Sequence, residues 1–139
     1  MKTWTRALPN VSPETKPFWD ACRENKFVIQ HCDECGKFQT YYRAFCCHCW
    51  GSSMTDVTAT GEGTVWGTTV TYRNSTPGWE DAIPYVMAII ELSEGVKVVT
   101  NIINCDPESV EVGMPVKVTF VPVTDDITLP YFEPAVAGG

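Results

Sequence analysis

The stretch HCDECGKFQTYYRAFCCHCW, residues 31–50, holds five of the chain's seven cysteines and both of its histidines. Cys32 and Cys35 are separated by two residues, Cys46 and Cys49 likewise, and ten residues lie between the pairs. Two Cys-x-x-Cys knuckles offer four thiolates to a tetrahedral ion, and zinc closed by four sulfurs is a structural site with no position left for substrate. Iron accepts the same ligands, so the spacing predicts a metal without choosing between the two. Gly36, directly after Cys35, suits a knuckle whose backbone amides turn toward sulfur. A redox dithiol would need one such pair in a βαβ setting, and neither condition holds here. Cys47, His31 and His48 are read as neighbours of the ligands, and Cys22 and Cys105 as small buried residues.

Outward from this cluster the chain changes character. On the N-terminal side the first eleven residues read as extended. Ser12-Pro13-Glu14-Thr15 then carries the signals of a helix start, with Phe18, Trp19 and Cys22 at helical spacing. Phe27 to Gln30 reads as a short strand entering the cluster. On the C-terminal side the pattern is β. Gly61, Gly63 and Gly67 punctuate a Thr- and Val-rich stretch, 57–72, expected as one long bent strand. Residues 74–83 form a loop carrying Trp79, and residues 85–92 and 96–103 flank a hairpin signal at Ser93-Glu94-Gly95. One helical turn at 106–109, then strands over 116–121 and 127–132, complete a pattern that matches a small five-stranded Greek-key barrel of the OB type. An SH3-like barrel would give similar spacing. The expected organisation is an N-terminal extension and helix (1–30), a metal ribbon (31–52), a barrel (53–134) and a tail (135–139).

Charge narrows the function classes. Residues 1–50 carry seven Lys/Arg against five Asp/Glu, whereas residues 51–139 carry three against twelve. A barrel that acidic is a poor match for nucleic acid, because phosphate neutralisation needs clustered basic residues. No apolar run approaches the ~18 residues that span a bilayer. The N-terminal stretch shows no apolar core before a cleavage site, so a cytoplasmic location is expected. Both histidines sit inside the metal stretch, which leaves a Ser-His-Asp or Cys-His arrangement without an independent base. No catalytic residue is therefore assigned.

The order of motifs is itself informative. PFW (17–19) precedes the knuckles CDECG (32–36) and CCHC (46–49), followed by GEGTVWGTTVTYR (61–73), residues 84–120 and LPYFEP (129–134). This succession resembles the DUF35 family over nearly the whole chain. The resemblance implies a mainly β protein with an N-terminal helix, a rubredoxin-like zinc ribbon and a C-terminal five-stranded OB-fold barrel. It departs from the family pattern after the third and fourth ligands, where Cys47 and Trp50 stand in place of Pro and Gly.

Family members are small partners of thiolase-superfamily proteins that handle acyl-CoA, including thiolases, 3-hydroxy-3-methylglutaryl-CoA synthases, steroid side-chain aldolases and a thiolase of benzylsuccinate breakdown. The resemblance thus implies a non-catalytic accessory subunit in a hetero-oligomer, with the catalytic residues on the partner. Thiolytic and retro-aldol cleavage of a carbon–carbon bond both fall within that expectation. Lys37 and Arg43, near Tyr41 and Tyr42, lie in the one region of positive balance and are candidate contacts to coenzyme A or to the partner. Trp79, Tyr131 and Phe132 are candidate interface anchors. The rival expectation is a stand-alone OB module that binds acyl-CoA or nucleic acid.

Overall fold

The computed structural model describes residues 8, 9, 11–40, 42–79 and 82–135. The extended segment expected over 1–11 falls mostly outside them, as do Tyr41 and four residues of the tail. Helix α1 spans Lys16–Arg23 and is preceded by a turn in which Ser12 and Thr15 satisfy each other. The Ser12 amide donates to Thr15 Oγ1 at 3.1 Å, and the Thr15 amide to Ser12 Oγ at 3.2 Å. Ser12, expected as the N-cap, instead closes the preceding turn, and the regular helix begins at Lys16 with Thr15 as its N-cap and no side-chain cap bond. Pro17 falls in its first turn, where a missing N–H costs nothing.

Eight strands follow among the described residues: β1 (Val28–Cys32), β2 (Phe38–Gln39), β3 (Met54–Thr58), β4 (Glu62–Thr71), β5 (Tyr85–Leu92), β6 (Lys97–Ile102), β7 (Pro115–Pro122) and β8 (Thr128–Pro134). They form a three-stranded sheet, ordered β2-β1-β3, and a closed barrel, ordered β4-β5-β6-β8-β7. In the barrel β6 pairs in parallel with β8, while every other pairing is antiparallel. A simple meander would put β7 beside β6. The interposed β8 gives the Greek-key closure of an OB-fold.

The stretch expected as one long bent strand is two strands in two different sheets. β3 pairs with β1 in the ribbon, and β4 opens the barrel. The break falls at Gly61, which takes φ +82° and lies so close to β7 that an added Cβ would stand 2.6 Å from Val118 Cγ1. A glycine in the left-handed region cannot continue a ladder, so the chain changes sheet rather than bending. The expected helical turn is a 3₁₀ turn, Pro107–Ser109, capped by Asp106. Pro134, the last residue of the expected barrel, pairs with Val116.

One apolar core joins the units. Inward residues of the barrel, among them Val65, Val86, Ile90, Val116 and Phe132, pack with Phe27 and Ile29 at the start of the ribbon. Phe18 of α1 meets Phe27 edge-on at 5.6 Å, and Phe27 meets Phe132 at 6.1 Å between centroids. This aromatic chain ties helix, ribbon and barrel, and fixes where the cysteine cluster stands relative to the barrel wall.

Candidate metal centre

Each knuckle closes in the same way. The Gly36 amide donates to the Cys32 carbonyl at 2.8 Å, and the Trp50 amide to the Cys46 carbonyl at 3.0 Å. The Cys32 amide donates to the Lys37 carbonyl, and the Cys46 amide to the Gly51 carbonyl. Gly36 takes φ +77° and Trp50 φ +65°, so both knuckles turn through the left-handed region. Trp50 does this without glycine's freedom, a conformation that costs an L-residue about 1–2 kcal/mol.

The result is a compact cluster. The Sγ atoms of Cys32, Cys35, Cys46 and Cys49 all lie within 4.8 Å of one another. Cys32 stands 3.6 Å from Cys49, and Cys35 stands 3.6 Å from Cys46. A tetrahedron of Zn–S bonds has edges of about 3.8 Å, so the donor set fits such an ion. Backbone amides aim at three of the sulfurs: Cys35 N–H at Cys32, His48 N–H at Cys46 and Gly51 N–H at Cys49, at 3.3–3.4 Å. Burial opposes ionisation of Cys46, but the His48 and Cys49 amides and the neighbouring thiols outweigh it and bring that thiol down to about 6. At Cys49 the Gly51 amide favours the thiolate, yet Cys32, burial and the remaining thiols prevail and push it up to about 12. Negative charge concentrated on one sulfur resists further ionisation beside it, and a divalent cation removes that resistance.

A polar device that the sequence reading missed positions the second knuckle. Gln30 on β1 and Gln39 on β2 are cross-strand partners, each almost wholly buried. Gln30 Nε2 donates to the Arg43 carbonyl at 2.7 Å, and its Oε1 accepts from the Arg43 amide and from Gln39 Nε2. Gln39 Nε2 also donates to the Phe45 carbonyl, and its Oε1 accepts from the Cys47 amide at 2.7 Å. The segment on either side of Cys46 therefore hangs from two side-chain amides. Cys47 takes part through its backbone, while its own thiol is exposed. The only sequence signal was two glutamines at inward positions of short strands, a place where apolar residues are the rule.

The other singled-out residues scatter. Lys37 lines a cleft of about 440 Å³ between the ribbon and the β5–β6 turn, together with His48 and Val96. Arg43 lends both backbone groups to the glutamine network. Tyr42 donates to Asp56 on β3 at 2.8 Å, and burial together with that carboxylate pushes its hydroxyl up to about 12. Trp79 is half-buried against Tyr85, with ring centroids 4.9 Å apart. Phe132 is fully buried in the core rather than presented as an anchor, while its neighbour Tyr131 is half-buried. Cys22 is buried, which pushes its thiol up to about 12 and leaves it unreactive.

The ChsH2 rubredoxin-like zinc ribbon domain matches residues 19–55, and the ChsH2 C-terminal OB-fold domain matches residues 56–121. A DUF35 domain-containing scaffold protein of Methanothermobacter thermautotrophicus is 32% identical over 96 residues, covering 68% of this chain and 71% of the relative. The chain belongs to the DUF35 family. Within the family it is similar to a probable enoyl-CoA hydratase alpha subunit of Thermomonospora curvata, 33% identical over 131 residues. That match covers 94% of this chain but only 40% of the relative, so the chain spans about two fifths of that curated protein. Among solved structures, a chain of the Ltp2-ChsH2(DUF35) aldolase superposes with a TM-score of 0.81 at 32% identity. The superposition covers 93% of this DUF35 chain and 100% of the other.

Proposed function

We propose that this chain is the non-catalytic accessory subunit of a thiolase-fold enzyme that cleaves a carbon–carbon bond in an acyl-CoA thioester. The observation that carries this reading is the superposition on the whole DUF35 chain of an aldolase built with Ltp2. The name of the Thermomonospora curvata relative adds the thioester class. Retro-aldol cleavage is favoured over thiolysis because the structural relative is an aldolase. The name of a Mycobacterium tuberculosis relative, a 3-oxo-4,17-pregnadiene-20-carboxyl-CoA hydratase alpha subunit, favours a steroid side chain as the substrate class, with benzylsuccinate-type aromatic thioesters as the rival.

The residues of this chain agree with a supporting role. Four cysteines would hold zinc, and a four-thiolate zinc stabilises structure while leaving no position for substrate or water. Both histidines sit on the ribbon beside the cysteines. His31 Nδ1 lies 3.4 Å from Asp33 with its ring against Phe38, and His48 serves the cluster through its amide. The candidate cation for a coenzyme A phosphate is Lys37, in the cleft beside the β5–β6 turn. A stand-alone nucleic-acid module is disfavoured by the three basic against twelve acidic residues of 51–139.

Affinity purification of the chain from its native host, with mass spectrometry of what co-elutes, tests the reading. A thiolase-fold protein in comparable amount is expected, inactive on its thioester until this chain is added. A partner fully active alone, or a chain that co-elutes with no such protein, would sink it.

A further inference from the structure

The barrel wall β4-β5-β6 turns apolar side chains outward as well as inward. Its register places Gly67, Ile89 and Val99 in one row across the three strands, and Thr69, Met87 and Asn101 in the next. A bulge between Val65 and Gly67 leaves Trp66 as the extra residue, and bulges of this kind re-aim a side chain. Trp66 is 56% exposed, Val99 53% and Met87 44%. Large apolar side chains gathered on one face of a small protein mark an interaction site rather than a chance of packing.

Two features give this face the make-up of a binding surface. Lys97 stands 5.3 Å over the Trp66 ring and 3.7 Å from Glu91, which holds the indole in place before any partner arrives. An anchor already ordered loses less freedom on binding. Val99 also lines a cavity of about 530 Å³ that reaches Trp19 on α1 and Leu129 and Pro130 on β8. Polar groups in its wall are engaged within the chain: Thr40 Oγ1 with the Lys97 carbonyl, Asn101 Nδ2 with the Val86 carbonyl and Tyr42 with Asp56. What remains open is an apolar socket beside an apolar face, suited to a projecting side chain.

Charge selects the occupant. The face belongs to the half of the chain with three Lys/Arg against twelve Asp/Glu, so a second copy that met it with the same face would bring like charge. We infer that the outer face of β4-β5-β6, anchored by Trp66 and Val99, docks a globular partner whose apolar patch is rimmed by Lys and Arg. On the proposed function, this partner is the thiolase-fold component itself.

The test measures binding of the co-purified thiolase-fold protein to wild type, Trp66→Ala, Val99→Glu and, on β7 where it borders β4 at Glu62, Lys117→Gln as the control that bounds the face. Each substituted residue is exposed, and metal content with thermal melting verifies folding. Hydroxyl-radical footprinting of the wild-type complex needs no variant. The expected result is binding about 30-fold or more weaker for the two face variants. Lys117→Gln should bind as wild type does, and Trp66 and Met87 should be protected from oxidation in the complex. Added salt should slow association. Unchanged binding by the face variants, with Trp66 and Met87 still oxidised, overturns the surface and leaves the proposed function standing. A salt-independent rate overturns the basic rim, and a wild-type homodimer dispersed by Val99→Glu shows that a second copy is the occupant. If wild type binds no thiolase-fold protein at all, the proposed function fails and takes this surface with it.

Discussion

The ribbon sheet and the barrel are both small β structures in one chain, yet different forces close them. The barrel has five strands around a common core, and alternation is clearest in β5 (YVMAIIEL), where every second residue is buried. The ribbon has a two-residue strand, an edge strand that is mostly solvent-facing, and two glutamines where a barrel would put valine. Its apolar burial rests on Ile29 and on Phe27 at its foot, both borrowed from the common core. A unit that cannot bury enough hydrocarbon must use a bonded constraint, and four converging thiolates supply one. The contrast explains why the sulfur is concentrated in twenty residues.

The sharpest way to break this contrast is to remove the ribbon's constraint alone. Cys46→Ser should abolish stoichiometric metal binding, because structural zinc contributes about 10–16 kcal/mol to small metal domains. Amide exchange should rise throughout 28–58 while β4–β8 stays protected. One equivalent of metal bound to the variant would show that the ligand set is wrong.

The converse variant tests the barrel. Phe132→Ala deletes a wholly buried ring that Phe27 packs against, and should cost about 3–5 kcal/mol in denaturant unfolding. Metal content of the folded fraction should stay at wild-type level. If metal were lost in proportion, ribbon and barrel would be a single cooperative unit and the contrast would fail.

The smallest effect belongs to the glutamine network. Gln39→Ala leaves the Cys47 amide and the Phe45 carbonyl without their partner, a loss of about 1–3 kcal/mol for a buried group left unsatisfied. Because these groups flank Cys46, the loss should appear as weaker zinc retention against a chelator, with barrel stability unchanged. Equal chelator kinetics for variant and wild type would remove the network from the metal site's support.

Legibility followed the range of the interactions. The knuckles were readable because four ligands on two tight turns are set by local spacing. Strand β5 was readable because alternation along a half-exposed strand is also local. The split of 54–71 into two strands was not: Thr- and Val-rich sequence marks strand whichever sheet receives it, and only the approach of Gly61 to Val118 shows where the chain must leave one for the other. Phe132 and Tyr131 looked equivalent in LPYFEP, but alternation in β8 sends the first into the core and leaves the second at the wall. Tyr42, read as a candidate contact, is tied to Asp56, 14 residues away in the chain, while Gln30, 13 residues away, holds the backbone of Arg43 and not its guanidinium.

By itself, then, the sequence determined most element types, the four-cysteine donor set and the acidic balance of the barrel region, since each is read from the residues themselves or from neighbours a few places apart. Tertiary structure alone decided the parallel β6–β8 pairing, the glutamine supports beneath Cys46 and the row that sets Trp66 and Val99 on one outer face. Those depend on which strands meet and in what register, and that is fixed by burying one shared core rather than by any local preference.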